Sequence, residues 1–477
     1  MTISLTGSDL TIEDVVAVAR GIEPVSLDPG ARESMERARE VVDRALERGD
    51  DVYGLTTGIG SLNRVPVSGA PGETRSFDRS LIERHRVGQG PSAPPEVARA
   101  MIVCMANTLA RGFAGVRPGV VDALLALLDG KEPDVRILGS IGQADLTANA
   151  DLAAGILDDL PLVPGEGLAL LNNNAFSVGW SALALAEVGT LLGAMEASAA
   201  LALEGFAASS SSIHPGVAEA RPYEGLTAAL GALREHLEGS ALFEPGHARN
   251  LQDPLSFRNA AHVLGAARDA LAFARRQVSI ELNAAQGNPL VLVSEDRVIS
   301  VANFEALPMA SAMDALRLGL APAVGASAER SGKLLEHSWS GLPTGLTPRD
   351  SDTGLAIMAI AAQAIAAEAR SLARPVSLEL SSASLAGGIE DRATMAPLAA
   401  RRTSEMVALA QRVTVIELVV AAQAVELREG APSGRGTSRT HAAVRKVVPF
   451  VGEGDHLPED LEPVVELVRS GRLLAEG

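Results

Sequence analysis

Apolar residues recur along this chain at helical spacing, in runs longer than strands usually reach, and the pattern predicts helices almost throughout. Thr11-Ile12-Glu13-Asp14 precedes the first such run and reads as a helix start, and an Arg/Glu-rich helix follows to about Arg48. Between about 95 and 130, two helical patterns flank Arg111-Gly112-Phe113-Ala114-Gly115-Val116-Arg117-Pro118. From Trp180 to Ala208 apolar residues occupy nearly every side, which marks a helix buried within a bundle. Similar Ala/Leu-rich patterns recur at about 258–285, 308–336, 353–373 and 393–429, and several exceed the average helix twofold. The pattern predicts an all-α bundle of long, roughly parallel and antiparallel helices, with Gly- and Asn-rich loops gathered at its end. Three regions follow: an N-terminal domain over 1–200, a central long-helix bundle over 201–429, and a C-terminal helical segment over 430–477 that opens on a flexible link at 430–440.

Composition narrows the classes. Aromatic residues are only 3% and apolar residues 47% of the 477, a balance that favours packed helices over sheets. A net charge of -18 argues against a nucleic-acid partner, because phosphate binding wants a basic face. Cys104 stands alone in Met101-Ile102-Val103-Cys104-Met105, so the expectation is a buried, inert thiol and no disulfide framework. No basic, apolar leader opens the chain, and its apolar stretches look interrupted by Glu, Arg or Gly before membrane length. The cytoplasm is the expected compartment, without a membrane partner. The eight histidines show no close pair at metal-ligand spacing, and no Gly-rich Lys-Ser/Thr phosphate loop is present, so no metal or nucleotide cofactor is expected.

Two loops carry the candidate chemistry. Tyr53-Gly54-Leu55-Thr56-Thr57-Gly58-Ile59-Gly60 presents one of only two tyrosines on an irregular glycine-rich segment, where a phenol is free to approach a ligand. A phenol has an unperturbed pKa of about 10, so positive charge or hydrogen-bond donors must lower it before it acts as a base near neutrality. The second loop is Gly139-Ser140-Ile141-Gly142-Gln143-Ala144-Asp145-Leu146.

Around both loops the sequence resembles the histidine/phenylalanine/tyrosine ammonia-lyase family. The first is similar to the family's Tyr-Gly-Ile-Asn-Thr-Gly-Phe-Gly, whose tyrosine is the catalytic acid/base. The second resembles Gly-Ser-Val-Gly-Ala-Ser-Gly-Asp-Leu, in which Ala-Ser-Gly cyclises and dehydrates into methylidene-imidazolone (MIO), an electrophile that attacks the substrate. Here Gln143-Ala144 replace those three residues, one short and without the serine or the glycine. Ring closure needs a flexible glycine nitrogen, and the exocyclic methylene needs a β-hydroxyl to expel. Ala144 has no leaving group; Ser140 is followed by stiff, β-branched Ile141, and Thr147 by Ala148. The expectation is that the chain makes no MIO and uses no other cofactor.

Other segments extend the resemblance from about residue 10 to 475. Gln252-Asp253-Pro254-Leu255-Ser256-Phe257-Arg258 is similar to Gln-Asp-x-Tyr-Ser-x-Arg, in which arginine clamps the substrate carboxylate, a bidentate task suited to its planar fork; Leu255 replaces the pattern's tyrosine. Glu166-Gly167-Leu168-Ala169-Leu170-Leu171-Asn172 matches a family segment whose asparagine contacts MIO and substrate, while Asn173, Asn174 and Ala175 depart from it. Three consecutive asparagines also suit helix capping. His85 lies where histidine ammonia-lyases carry a histidine, and Ile389-Glu390-Asp391-Arg392 resembles Gln-Glu-Asp-His, with Ile389 and Arg392 differing. In Asn303-Phe304-Glu305 the family usually has histidine at the last position.

The resemblance implies the long-helix bundle of the MIO lyases, related in type to fumarase and aspartase. It further implies a homotetramer whose active sites draw on three subunits, so that Tyr53, Arg258 and Glu390 need not meet within one chain. The expected roles are proton transfer by Tyr53, carboxylate binding by Arg258, orientation by Asn172, and recognition of a polar or cationic substrate end by His85 and Glu390. Gln143 is expected to fill the space of the electrophile. Three readings follow: an MIO-independent lyase working by elimination or the reverse addition or cyclisation on a small carboxylate, a non-catalytic homologue binding a metabolite or partner, and a conventional ammonia-lyase.

Overall fold

The computed structural model describes residues 2–67, 71–130, 133–347, 353–378, 386–452 and 455–474. Long helices dominate it, among them Ala396–Glu429, Ala175–Phe206, Leu307–Leu335, Ala260–Leu282 and Pro29–Arg48. The all-α expectation holds. Among the described residues, strands form only three two-stranded pairs: Ile3–Leu5 with Val25–Leu27 in parallel, and Gln89–Ser92 with Arg136–Leu138 and Leu290–Leu292 with Arg297–Ile299, both antiparallel.

Local signals account for the first helices. Thr11 Oγ1 accepts from Asp14 N at 3.0 Å while the Asp14 carboxylate accepts from Thr11 N at 3.0 Å, a reciprocal capping box that starts Ile12–Ala19. Asp28 accepts from Gly30 N and Ala31 N at 2.8 and 3.1 Å, with Pro29 at the first helical position, and left-handed Gly49 closes the helix. The buried helix expected from Trp180 begins five residues earlier, at Ala175. Its cap comes from a remote segment: Asp145 accepts from Ser177 N at 2.8 Å and from Ser177 Oγ at 2.9 Å. At the other end of the chain, the expected link over 430–440 is shorter, because a helix runs over Arg435–Arg445.

One further expectation needs correction. The stretch Glu166–Phe206 is long and apolar enough, by length and composition, to cross a membrane. Of its apolar window 78% is buried inside the protein, so this apolarity serves the core.

Contacts divide the chain into two compact units, the first built from residues 1–186, 274–314 and 375–401, the second from 187–273, 315–374 and 402–477. In the first, the helix Pro95–Ala110 is buried almost completely, with Cys104 inside it as expected. Its two buried polar residues do structural work: Asn107 Nδ2 donates to Leu282 O at 2.8 Å, and Thr108 Oγ1 donates to Ala284 O at 2.7 Å. They fix the 282–286 segment. The second unit contains a buried ion pair in which Glu417 accepts from Arg330 and, at 2.6 Å, from Ser327 Oγ.

Candidate active site

The Tyr53 loop is seated by its neighbours. Val52 and Leu55 are buried in an apolar cluster with Ala38, Val41, Val42 and Val291. Thr56 Oγ1 accepts from Val52 N and donates to Asp50 O, both at 2.8 Å. Gly54, at φ +68°, is required: a Cβ there would lie 2.1 Å from Leu168 Cδ2. The half-buried Tyr53 hydroxyl accepts from Gly60 N at 2.9 Å. Burial pushes its pKa above the ordinary phenol value and the nearby Glu390 charge pushes it further, against the Gly60 amide, which favours the phenolate. The chain's own surroundings therefore hold Tyr53 protonated.

The helix Glu166–Leu171 brings Asn172 to the same place. Its start is tied down by two buried carboxylates. Glu166 accepts from Arg117 N, Nε and Nη2 at 3.0, 2.8 and 2.7 Å, and Asp78 accepts from Gly167 N and Gly165 N at 2.7 and 3.1 Å. Asn172, 8% exposed, donates from Nδ2 to Asn288 O at 3.3 Å, and its Oδ1 is buried without a partner. Tyr53 and Asn172 line one cavity, together with Thr108, Phe113, Leu168 and Gln286. Asn173 and Asn174 are structural: Asn173 donates to Ala169 O and Leu170 O, and Asn174 N donates to Gln286 Oε1 at 3.0 Å.

The 139–146 loop packs beside this unit's 390–395 segment. Ile141 O accepts from Thr394 N and Met395 N at 3.2 and 2.9 Å, and Gly142 O accepts from Thr394 Oγ1 at 2.8 Å. Gly142 has φ +79°, and buried Ala144 has φ +56°. The Ser140 hydroxyl, the loop's only β-oxygen outside a carboxylate, faces Ala144 O at 3.4 Å and Asp145 Oδ1 at 3.3 Å. These residues do not fit MIO: no serine lies between a ring-closing carbonyl and a glycine nitrogen. Gln143 turns to Glu305, with a backbone bridge and an Nε2 hydrogen bond to Glu305 Oε2 at 3.0 Å, and is not among the residues lining the Tyr53 cavity.

The remaining expected site residues are placed as follows. Glu390 stands close enough to Tyr53 for its charge to be felt at the phenol. His85 ends the helix Pro71–His85 and is held by Leu81 O at 2.7 Å from Nδ1, apart from the cavity lining. Arg258 belongs to the second unit, on the short helix Leu255–Arg258; its Nε donates to Asp253 O at 2.7 Å, and with the Gln252 amide oxygen turned toward it both terminal nitrogens donate there, at 2.8 and 3.0 Å. Sequence reasoning passed over Thr108 and Gln286. A polar pair, Asn107-Thr108, inside the otherwise apolar run from Ala100 to Ala110 was the available signal for the first. Among the described residues, no group of three or more His, Cys, Asp or Glu is gathered as a metal site.

Known proteins resemble this chain along nearly its whole length. The family model for aromatic amino acid lyases matches residues 10–159 and 152–446. The chain is 34% identical to a histidine ammonia-lyase of Anaeromyxobacter sp. (strain K), across 99% of each chain, and 32% identical to that of Caldanaerobacter subterraneus subsp. tengcongensis, across 98% and 97%. Among solved structures it is similar to ergothionase, the ergothioneine-degrading enzyme of Treponema denticola, in complex with desmethyl-ergothioneine sulfonic acid. The TM-score is 0.92 at 28% identity, with 99% of this chain and 100% of that one covered. It also resembles the tyrosine aminomutase of Streptomyces globisporus, with a TM-score of 0.91 at 27% identity over 99% and 98% of the chains.

Proposed function

Because this chain belongs to the aromatic amino acid lyase family, we propose that it is a lyase that works without MIO, by Tyr53 acid/base chemistry, on a small amino-acid-derived carboxylate with a cationic or polar end. The observation that carries this reading is the pairing of a loop unable to build the electrophile with a retained cavity that presents Tyr53 and Asn172 together. In the eliminating direction the Tyr53 phenolate takes the β-proton, the C–H electrons form the Cα=Cβ bond, and the Cα–N bond breaks toward nitrogen. A primary amine is a poor leaving group for such a step. A quaternary ammonium is a good one, because it departs as a neutral amine with the bonding pair. Similarity to the ergothioneine-degrading enzyme points the same way, since ergothioneine is a betaine with a quaternary α-nitrogen beside its carboxylate.

In this scheme Asn172 orients the substrate, Glu390 and His85 meet its polar end, and Arg258 clamps the carboxylate within a homotetramer whose sites combine subunits. Leu255, in place of a second phenol, leaves Tyr53 to move the proton alone. The reverse addition, or a ring closure, uses the same groups. The elevated Tyr53 pKa favours one alternative, a non-catalytic binder.

Intact-protein mass and turnover separate the readings. The expected result is an unmodified mass, together with release of amine from ergothioneine or a related betaine and none from histidine, followed by the absorbance of the conjugated product. A mass deficit of two waters would return the protein to the conventional ammonia-lyases. Betaine binding without turnover would establish the binder.

A further inference from the structure

Three positions at which the sequence departs from its family's pattern are in contact. Gln143 stands in the altered electrophile segment, Glu305 where histidine is usual, and Arg392 where histidine follows Glu-Asp. In the fold, Gln143 Nε2 donates to Glu305 Oε2 at 3.0 Å and Arg392 Nε lies 3.5 Å from the same oxygen. Their backbones are stitched as well: Gln143 bridges to Glu305, and Thr394 and Met395 donate to Ile141 O. The segment so held begins with Glu390. Its upstream turn packs on the catalytic loop, where a Cβ built on Gly60 would lie 3.2 Å from Ala386 Cβ and one on Gly387 3.4 Å from Ser61 Cβ. Gly60 is also the residue whose amide donates to the Tyr53 hydroxyl.

We propose that Glu305 is a positioning residue: held by Gln143 on one side and Arg392 on the other, it latches the 390–395 segment to the 139–146 loop and so keeps Glu390 beside Tyr53. The proposal rests on reading Tyr53 and Glu390 as site residues. On this view the loop that lacks the electrophile's serine and glycine serves as an anchor for the recognition segment. The latch is weak in itself, because the Arg392 and Glu305 side chains are 58% and 32% exposed and solvent screens such pairs. Its effect lies in geometry, and stability measurements would miss it.

The Tyr53 phenol reports that geometry. Burial raises its titration most, and of the groups that face it the Gly60 amide favours ionisation and the Glu390 carboxylate opposes it. Tyr223 is the only other tyrosine, so a Tyr223→Phe background isolates Tyr53. Replacing Tyr53 biosynthetically by 3,5-difluorotyrosine brings its titration toward neutrality, where 19F NMR follows it in the folded protein. Glu390→Gln is expected to lower the midpoint, as removal of a nearby like charge does.

Glu305→Gln and Arg392→Gln carry the test. Acting only through their own fields, removing a carboxylate and removing a guanidinium shift the phenol in opposite directions. Acting as a latch, both release Glu390 and both lower the midpoint, and Glu305→Gln combined with Glu390→Gln moves it no further than Glu390→Gln alone. Unchanged midpoints in the two latch variants, shifts of opposite sign, or an unchanged midpoint in Glu390→Gln would each overturn the proposal. Arg392 is exposed enough for its variant to fold. The titration needs no substrate, so failure of the catalytic reading, seen as absent turnover, remains distinct from failure of the latch.

Discussion

Replacing Asp78 by asparagine is expected to make the protein more stable than the wild type by a margin that grows steadily from pH 5 to pH 8. Asp78 is 1% exposed; one carboxylate oxygen accepts from Gly167 N and Gly165 N, and the other is buried without a partner. Burial raises its pKa from 3.8 to about 7, with the neighbouring Glu166 charge adding to the rise and the two amides and Arg39 opposing it. Between those two values the folded state keeps a proton that the unfolded chain has released. Stability from this group is therefore full below the unfolded value and is lost as pH rises through the folded one, at up to about 1.4 kcal/mol per pH unit. The shift sets a ceiling of roughly 4 kcal/mol, of which roughly 2–3 kcal/mol falls between pH 5 and 8. Asparagine copies the protonated acid, because its carbonyl still accepts from both amides and it cannot ionise. Urea or thermal midpoints at pH 5, 6, 7 and 8 would show the two proteins diverging with rising pH. Asp145, buried and raised to about 6, contributes with the same sign to both proteins, so the difference between their curves isolates Asp78. Parallel curves across pH 5–8 would refute the reasoning. Asp78→Ala, which likewise cannot ionise but also removes the acceptor, is expected to be less stable than Asp78→Asn by roughly 1–2 kcal/mol at every pH and serves as the control.

Two further outcomes follow from the site. Tyr53→Phe is expected to lower kcat on any betaine that the wild type turns over by roughly 10²–10⁴-fold with little change in KM, because only the proton carrier is removed; steady-state kinetics with unchanged kcat would take Tyr53 out of that role. Gly142→Ala places a Cβ 2.2 Å from Thr394 Oγ1 and 2.8 Å from Ala396 N at φ +79°. It is expected to break the stitch to the 390–395 segment and lower stability by roughly 1–3 kcal/mol, and a wild-type thermal midpoint would show that the loop yields more easily than its packing implies.

Helices, their order and the first caps were legible in the sequence because they rest on local spacing and on residues within one turn, as at Thr11 and Asp28. The start of the helix Ala175–Phe206 was not, because its cap is Asp145, 32 residues upstream. The same division runs through the site. Tyr53 and Asn172 were legible through resemblance, and the fold lines one cavity with both. Gln286 was hidden because its Oε1 accepts from the Asn174 backbone and its Nε2 donates to Glu281, partnerships that leave no motif. Glu305 stood out as a departure from the family, but its partner Gln143 lies 162 residues away, and no spacing rule connects them.

On the proposed reading, the elevated Tyr53 pKa and the missing electrophile are answered by one property of the substrate. The protein lifts the phenol's pKa by burial and by Glu390, so in the free enzyme Tyr53 is a poor base at neutral pH. A cation about 5 Å from the phenol in a medium of effective dielectric ~20 favours the phenolate by roughly 3 kcal/mol, or about two pKa units. A quaternary ammonium supplies that cation and is itself a leaving group that needs no covalent activation. A neutral isostere of the same shape supplies neither, so it is expected to bind without ionising Tyr53, whereas the betaine lowers the Tyr53 titration midpoint in the same 19F experiment. Equal midpoints with the two ligands would refute this account of base activation.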